Sequence, residues 1–285
     1  MKKLQLIYVF LLLFPLSFVA QETAKDSVVD KPQRPAFESS YIIDTPTDVL
    51  PTKNTLEIQM GHRFGLVDGG TNDLIGFWAP SNIRIGLTYS VHDRVTLGFG
   101  TTKFDRLQDF NWKVAILRQT RSDKIPVNVT YFGNFTLDAR GKENFLVDQH
   151  RYSNFHQLII SRRFNQNFSF QIAPSVSHYN LVPQRMQNDV VALSLGGRYK
   201  VSPQTAILVD YTHPFIHHLD GETLPMDPED GFSLGVEFRT SSHAFQLFIS
   251  SYNGIVPQKN IMFNQNNFFD GDFLIGFNIT RLYNF

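Results

Sequence analysis

The chain has 285 residues, with 26 lysines and arginines against 26 aspartates and glutamates, so it presents no net charge to nucleic acid or to an acidic surface. It contains no cysteine, which excludes disulfides, thiolate zinc sites and a cysteine nucleophile. Phenylalanine is unusually abundant, at 27 residues in a chain only 42% hydrophobic, a balance that suits one greasy face and one wet face.

The N-terminus reads as a secretory signal peptide over 1–20. Lys2 and Lys3 precede an apolar run over 4–14 broken only by Gln5, and Val19-Ala20-Gln21 offers a cleavage point after Ala20, although Phe18 is bulky for its position. The run is too short for a membrane anchor, and no later run of ~18 apolar residues forms a transmembrane helix. Residues 21–53 are polar and spotted with Pro32, Pro35, Pro46 and Pro51. They read as a periplasmic N-terminal linker, within which 37–43 could dock elsewhere.

From residue 54 to 285 the pattern has period two. Leu56, Ile58 and Met60 lie on one face with Glu57, Gln59 and Arg63 on the other, and Ile83, Ile85, Leu87 and Tyr89 alternate with Arg84, Gly86 and Thr88. Such alternation makes a strand apolar on one side and wet on the other. Strands are predicted at 55–64, 82–90, 94–104, 111–119, 127–137, 154–164, 168–179, 190–200, 205–213, 231–239, 243–252 and 272–285. The predicted connections are short at 91–93, 120–126, 165–167, 201–204 and 240–242, with turn formers such as Asn165-Gln166-Asn167 and Ser202-Pro203. They are longer at 65–81, 105–110, 138–153, 180–189, 214–230 and 253–271, with 105–110 the exception in being only moderately long.

The fold class predicted is therefore all-β: a closed antiparallel transmembrane β-barrel of about twelve strands, with short periplasmic turns and longer extracellular loops. Lipid offers no hydrogen bonds, so every backbone group of the spanning sheet must pair and the last strand must close on the first. The expected location is the outer membrane of a Gram-negative bacterium, with both termini periplasmic and outer-membrane lipid as the surroundings. A soluble secreted β-sandwich or a water-soluble barrel would also alternate, but a soluble sandwich would not need an apolar face on nearly every strand, nor end on Phe.

The last strand alternates Phe273, Ile275, Phe277 and Ile279, then Tyr283 and the terminal Phe285, with Arg281 breaking the apolar register near the rim. A terminal aromatic on such a strand resembles the signal read by the barrel-assembly machinery, so Phe277, Ile279, Tyr283 and Phe285 are the expected assembly signal.

Several stretches carry a family resemblance. These are Thr55-Leu56-Glu57, His62-Arg63-Phe64-Gly65, Asn82-Ile83-Arg84-Ile85-Gly86-Leu87, Ala173-Pro174-Ser175 with His178 and Asn180, Leu195-Gly196-Gly197-Arg198-Tyr199-Lys200, His243-Ala244-Phe245-Gln246-Leu247 and Gly276-Phe277-Asn278-Ile279-Thr280-Arg281. Together they resemble an uncharacterised family of outer-membrane barrels from the Bacteroidota, the domain of unknown function 5777, over most of the chain after residue 37. Ser241-Ser242 stands where the family has glycines. The resemblance implies fold and location, and no activity.

If the apolar registers face lipid, the opposite registers face the lumen. That set is Glu57, Gln59, Arg63, Arg84, Lys113, Asn128, Asn134, Arg163, Gln171, Arg198, Asp210, Glu237 and Arg239. Opposite charges could pair and hold a narrow barrel shut. Alternatively, leftover Arg and Lys could line a porin-like passage for small anionic solutes. The loop segment Asp73-Leu74-Ile75-Gly76-Phe77-Trp78 reads equally as rim packing or as an inward plug. His213, His217 and His218, with Asp220, Glu222, Asp227 and Asp230, hold metal-ligating types without a known spacing, so no metal and no cofactor are expected.

The alternative function is a lipid hydrolase of phospholipase type. His156 with Ser153 or Ser161, and His178 with Ser175 or Ser177, are the nearest candidates, but His178 and its two serines have opposite strand parity. The leading expectation is a non-enzymatic barrel, either a narrow channel or a structural or accessory component, without nucleic-acid partners. The sequence names no protein partner beyond the assembly machinery.

Overall fold

The computed structural model describes residues 30–218 and 223–285, and Pro32–Phe285 form one compact unit. The expected signal peptide lies outside the described residues, as do Asp220 and Glu222. A two-stranded hairpin, β1 (Tyr41–Ile42) and β2 (Thr45–Pro46), comes first. Twelve long strands come after it: β3 (Thr55–Leu66), β4 (Asn82–His92), β5 (Val95–Thr102), β6 (Leu107–Leu117), β7 (Asn128–Asp138), β8 (Tyr152–Arg163), β9 (Phe168–Tyr179), β10 (Asp189–Lys200), β11 (Thr205–Phe215), β12 (Gly231–Arg239), β13 (His243–Ser250) and β14 (Leu274–Asn284).

Each of the twelve pairs antiparallel with its sequence neighbours, and β14 returns to β3 in the register Met60↔Ile279 and Thr55↔Asn284. The barrel is closed and leaves no edge. The ends of β3 and β14 share one rim with the shorter connections, here the turn rim; the other is the loop rim.

The barrel's burial is inverted relative to a water-soluble protein. Ile85, Leu87, Leu97, Phe99, Phe110, Ile172, Val209, Leu234 and Leu247 are exposed on the outside, whereas Glu57, Arg63, Asp109, Gln171, Asp210 and Glu237 are buried inside. Period two makes this possible, since one residue of each pair must face each way.

The predicted strands agree with the structure within a few residues except at one hairpin. The strand expected from 111 starts at Leu107, because Gln108 and Asp109 read as loop residues although Asp109 points inward onto Arg84. The expected long connection at 105–110 is therefore only the short link between Thr102 and Leu107, while the expected short turn at 120–126 is the longer span between Leu117 and Asn128. That span is occupied: Thr120 bridges to Pro32, and Gln33 N–H donates to the Gln119 carbonyl at 2.7 Å.

The β3–β4 connection does not plug the barrel. Leu74, Ile75 and Trp78 are exposed, and Phe77 packs on Phe64 with ring centres 4.3 Å apart. The helix that folds inward belongs instead to the β13–β14 connection: α1 (Pro257–Phe263) buries Pro257, Gln258, Asn260, Ile261 and Met262. Pro257 at its first turn suits a helix start, where an N–H would have no partner anyway.

Candidate functional site

Two pieces of chain fill the barrel interior. From the loop rim, α1 sets Ile261 and Met262 against Phe132, Phe155, Ile159, Val190 and Ala192. Its Gln258 amide donates to Thr136 at 2.8 Å, Asn134 at 3.0 Å and Ser153 at 3.3 Å.

From the turn rim, residues 36–48 enter as a folded segment. The Asp48 carboxylate accepts the Ala36 N–H at 2.9 Å, the Thr47 hydroxyl donates to the Ser39 carbonyl at 2.5 Å, and Ile43 turns the hairpin at φ 70°. Burial pushes the Asp48 carboxyl upward, against the pull of the Ala36 and Phe37 N–H groups. Ala36, Phe37, Ile42 and Ile43 pack with Leu208 and Phe248 of the wall. Sequence alone reads this stretch as a linker and allows 37–43 to dock, without saying where.

The wall's polar residues grip this segment. Arg63 donates to Asp44 at 2.8 Å, with both side chains almost wholly buried, and lies 4.4 Å over the Phe248 ring. Ser233 and Ser250 donate to the other Asp44 oxygen at 2.8 and 3.0 Å. Asp210 accepts the N–H groups of Asp44 and Thr45 at 3.0 and 2.8 Å and the Thr45 hydroxyl at 2.7 Å. Ser40 donates to Glu57 at 2.5 Å, and Ser39 donates to Glu237 at 2.6 Å. Lys113 donates to the Ser40 carbonyl at 2.6 Å, Gln171 to that of Pro46 at 3.0 Å, Gln246 to that of Tyr41 at 2.9 Å and Asn278 to that of Ile43 at 2.9 Å. Burying a polar group is costly when its hydrogen bonds are left unmade, so a wall this polar requires such a guest or water.

The remaining wall charges pair within the wall or, at the turn rim, with Glu38 of the inserted segment. Arg84 holds Asp109 through Nε and Nη2, both at 2.8 Å, and donates from Nη1 to Gln59 at 3.0 Å. Glycine makes room for this fork: a Cβ on Gly86 would meet Arg84 Nη1 at 2.6 Å, and one on Gly100 would overlap the guanidinium. Arg198 donates to Glu237 at 3.0 Å. At the turn rim Arg239 pairs with Glu38, Arg163 stands 3.9 Å from Glu38, and Asn128 accepts the Gln119 N–H at 2.8 Å.

Between wall and guests, the void by Arg63, Arg84 and Asn278 and that by Asp44, Phe155 and Asn260 are about 10 Å³ each. A cavity of about 620 Å³ opens at the turn rim, between residues 32–52 and the wall beside Glu57, Asn128 and Arg239. The sequence does not mark Asp44, Thr45, Asp109, Gln246, Asn278 or Gln258 as residues of the barrel interior, although Gln246 and Asn278 fall within the stretches that carry the family resemblance. Asp109, Gln246 and Asn278 can be found by parity once the strands are in register; Asp44 and Gln258 lie outside the barrel strands and carry no such signal.

The hydrolase candidates are not brought together. His156 sits outside, bonded to the Tyr131 hydroxyl at 2.7 Å, while Ser153 and Ser161 are buried inside. His178 bonds Asp189 at 2.9 Å and Asn180 at 2.7 Å, and Ser175 and Ser177 point to the opposite face. His213 pairs with Asp230 at 2.7 Å and His218 with Asp227 at 2.8 Å as separate couples, and no group of three or more potential ligands occurs among the described residues. On β14, Phe277 stacks on His62, Ile279 is half-buried on the outside, Arg281 lies over Tyr283, and Phe285 is exposed at the turn rim.

The sequence matches the family description "Membrane bound beta barrel domain (DUF5777)" over residues 37–283. The chain belongs to that family. The match begins at Phe37, so the hairpin inside the barrel is part of the DUF5777 domain rather than an appendage. No curated protein matches the sequence. Among solved structures, the NanC porin superposes with a TM-score of 0.51 at 8% identity, covering 81% of this chain and 99% of the porin. The COG4313 outer membrane channel from Pseudomonas putida F1 gives 0.51 at 12% identity, covering 82% and 97%. At such identities the likeness is one of fold: this DUF5777 barrel has the architecture of outer-membrane porins and channels.

Proposed function

We propose that the protein is an outer-membrane barrel that is shut at rest, a channel gated by its own N-terminal segment rather than a standing pore. The carrying observation is the Arg63–Asp44 ion pair: a wall cation is neutralised by a residue of the inserted segment. The wall bears Arg63, Arg84, Lys113, Arg163, Arg198 and Arg239 against Glu57, Asp109, Asp210 and Glu237, and the segment supplies Glu38, Asp44 and Asp48. Withdrawing it removes three carboxylates and leaves the wall cationic, so the open form selects anions. In this reading the turn rim and both chain ends face the periplasm, lipid surrounds the apolar face, and the barrel-assembly machinery inserts the chain.

Planar-bilayer recording tests the proposal. The intact protein should show no steady conductance. A variant lacking residues 32–50, confirmed as folded by its heat-modifiable gel mobility, should conduct with anion preference, and adding Arg63→Ala should weaken that preference. A steady open current through the intact protein would overturn it.

A further inference from the structure

At the loop rim, the outward aromatic face does not stop where the strands do. Phe277 of β14 stacks on His62 of β3 with ring centres 5.1 Å apart; Phe64 of β3 lies 6.2 Å from Phe277 and 4.3 Å from Phe77 in the β3–β4 connection. Nearby, Phe232 of β12 meets Phe268 and Phe269 at 4.7 and 5.3 Å, and Phe268 meets Phe273 at 5.3 Å, all three partners lying in the β13–β14 connection. His62, Phe64, Phe232 and Phe277 occupy outward registers of their strands, and β12, β13, β14 and β3 are consecutive in the barrel. The two loops thus prolong one stretch of the apolar outer surface.

Their apolar side chains are uncovered. Phe269 is 76% exposed and Trp78 73%, with Leu74 and Ile75 also exposed. The first loop is held by its backbone: Leu74, Ile75 and Gly76 are all left-handed, at φ 53°, 57° and 80°. Ile75 N–H donates to the Gly70 carbonyl at 2.7 Å, and Gly76 N–H to the Asp73 carboxylate at 2.9 Å. A β-branched residue is strained there, a cost taken on while Ile75 stays 48% exposed. The β7–β8 connection is more charged, with Arg140 paired to Asp138 and Asp105 and with Lys142, Glu143 and Asp148, although its Leu146 and Val147 are exposed as well.

We infer that the β3–β4 and β13–β14 connections rest in the bilayer, raising the hydrophobic belt on one side of the barrel, and that lipid of the adjoining leaflet covers them. In each loop the rings pack one against the next onto residues of the lipid-facing wall, and aromatic side chains favour the membrane–water interface. Lipid covers such a patch without a specific partner, whereas in water its size would favour association.

Single-tryptophan reporters test this. The chain has two tryptophans, so Trp78→Phe with Trp112→Phe gives a silent background. Into it go Phe77→Trp, Phe269→Trp or, as a control in the charged loop, Leu146→Trp, a position 92% exposed. Each variant is refolded into phosphatidylcholine vesicles and checked for heat-modifiable mobility. Acyl-chain bromination should lower the emission of the two aromatic-loop reporters about twofold and iodide should barely reach them, with the reverse for the control. Equal iodide access at all three positions would overturn the inference. So would iodide protection without bromolipid quenching, the signature of a second copy or another protein on the patch. The reporters sit in separate loops, so misfolding of one leaves the other to decide.

Discussion

Arg63 and Asp44 illustrate what a buried charge demands. With both side chains almost fully enclosed, their attraction compensates for lost hydration only while the geometry holds. Asp44→Ala should therefore cost about 3–5 kcal/mol by stranding the guanidinium, whereas Asp44→Leu with Arg63→Met should cost less. Urea unfolding followed by gel mobility would read both; an equal loss in single and double variants would contradict the pairing argument. The serines beside Asp44 matter for the same reason, since Ser233 and Ser250 satisfy the oxygen that Arg63 does not reach.

Among the elements, the strands are legible in the sequence and the inserted pieces are not. Twelve alternating stretches suffice to place the wall because period two survives whatever lies on the other side. β6 shows the limit: Gln108 and Asp109 look like turn residues until Arg84 is known to face Asp109. The segment 36–48 shows a deeper limit. Its hydrogen bonds reach partners some two hundred residues away, such as Ser39 to Glu237 and Asn278 to Ile43, and no local pattern encodes that pairing. α1 escapes notice likewise, and the apolar β3–β4 loop draws attention instead because its Leu, Ile and Trp resemble a helix looking for a core. At the other end of the chain, β14 pairs with β3 down to Asn284↔Thr55, yet the Phe285 ring is exposed and only its N–H is tied, to the Asn54 carbonyl at 3.1 Å. A side chain that contributes so little to the finished barrel is free to serve earlier. Phe285→Ser should leave the urea midpoint of refolded protein nearly unchanged while lowering the folded fraction recovered from cell envelopes; an equal drop in both would assign Phe285 a purely structural role.

For the whole molecule, two guests enter from opposite rims and meet different walls. α1 combines an apolar cluster with the hydrogen bonds of Gln258, and the N-terminal segment combines the packing of Ala36, Phe37, Ile42 and Ile43 on Leu208 and Phe248 with the Arg63–Asp44 pair and a larger set of side-chain hydrogen bonds. On the gating proposal the releasable guest is the N-terminal segment, because most of its hydrogen bonds can pass to water.

The releasable one is on a short leash. Val49 is the last residue tied inside, its carbonyl accepting from Lys113 at 3.5 Å, and the Lys53 N–H is already held by Asp93 at 2.8 Å, so the intervening chain reaches about 14 Å even when drawn straight. Once free, the stopper remains at millimolar local concentration beside its own socket, so openings should be brief flickers. Doubling the tether with glycine and serine after Pro51 should slow recapture by about threefold, visible as longer open dwell times in single-channel records. If the barrel is gated as proposed, the span from Val49 to Lys53 acts as a clock, set by the covalent chain rather than by any contact in the closed barrel.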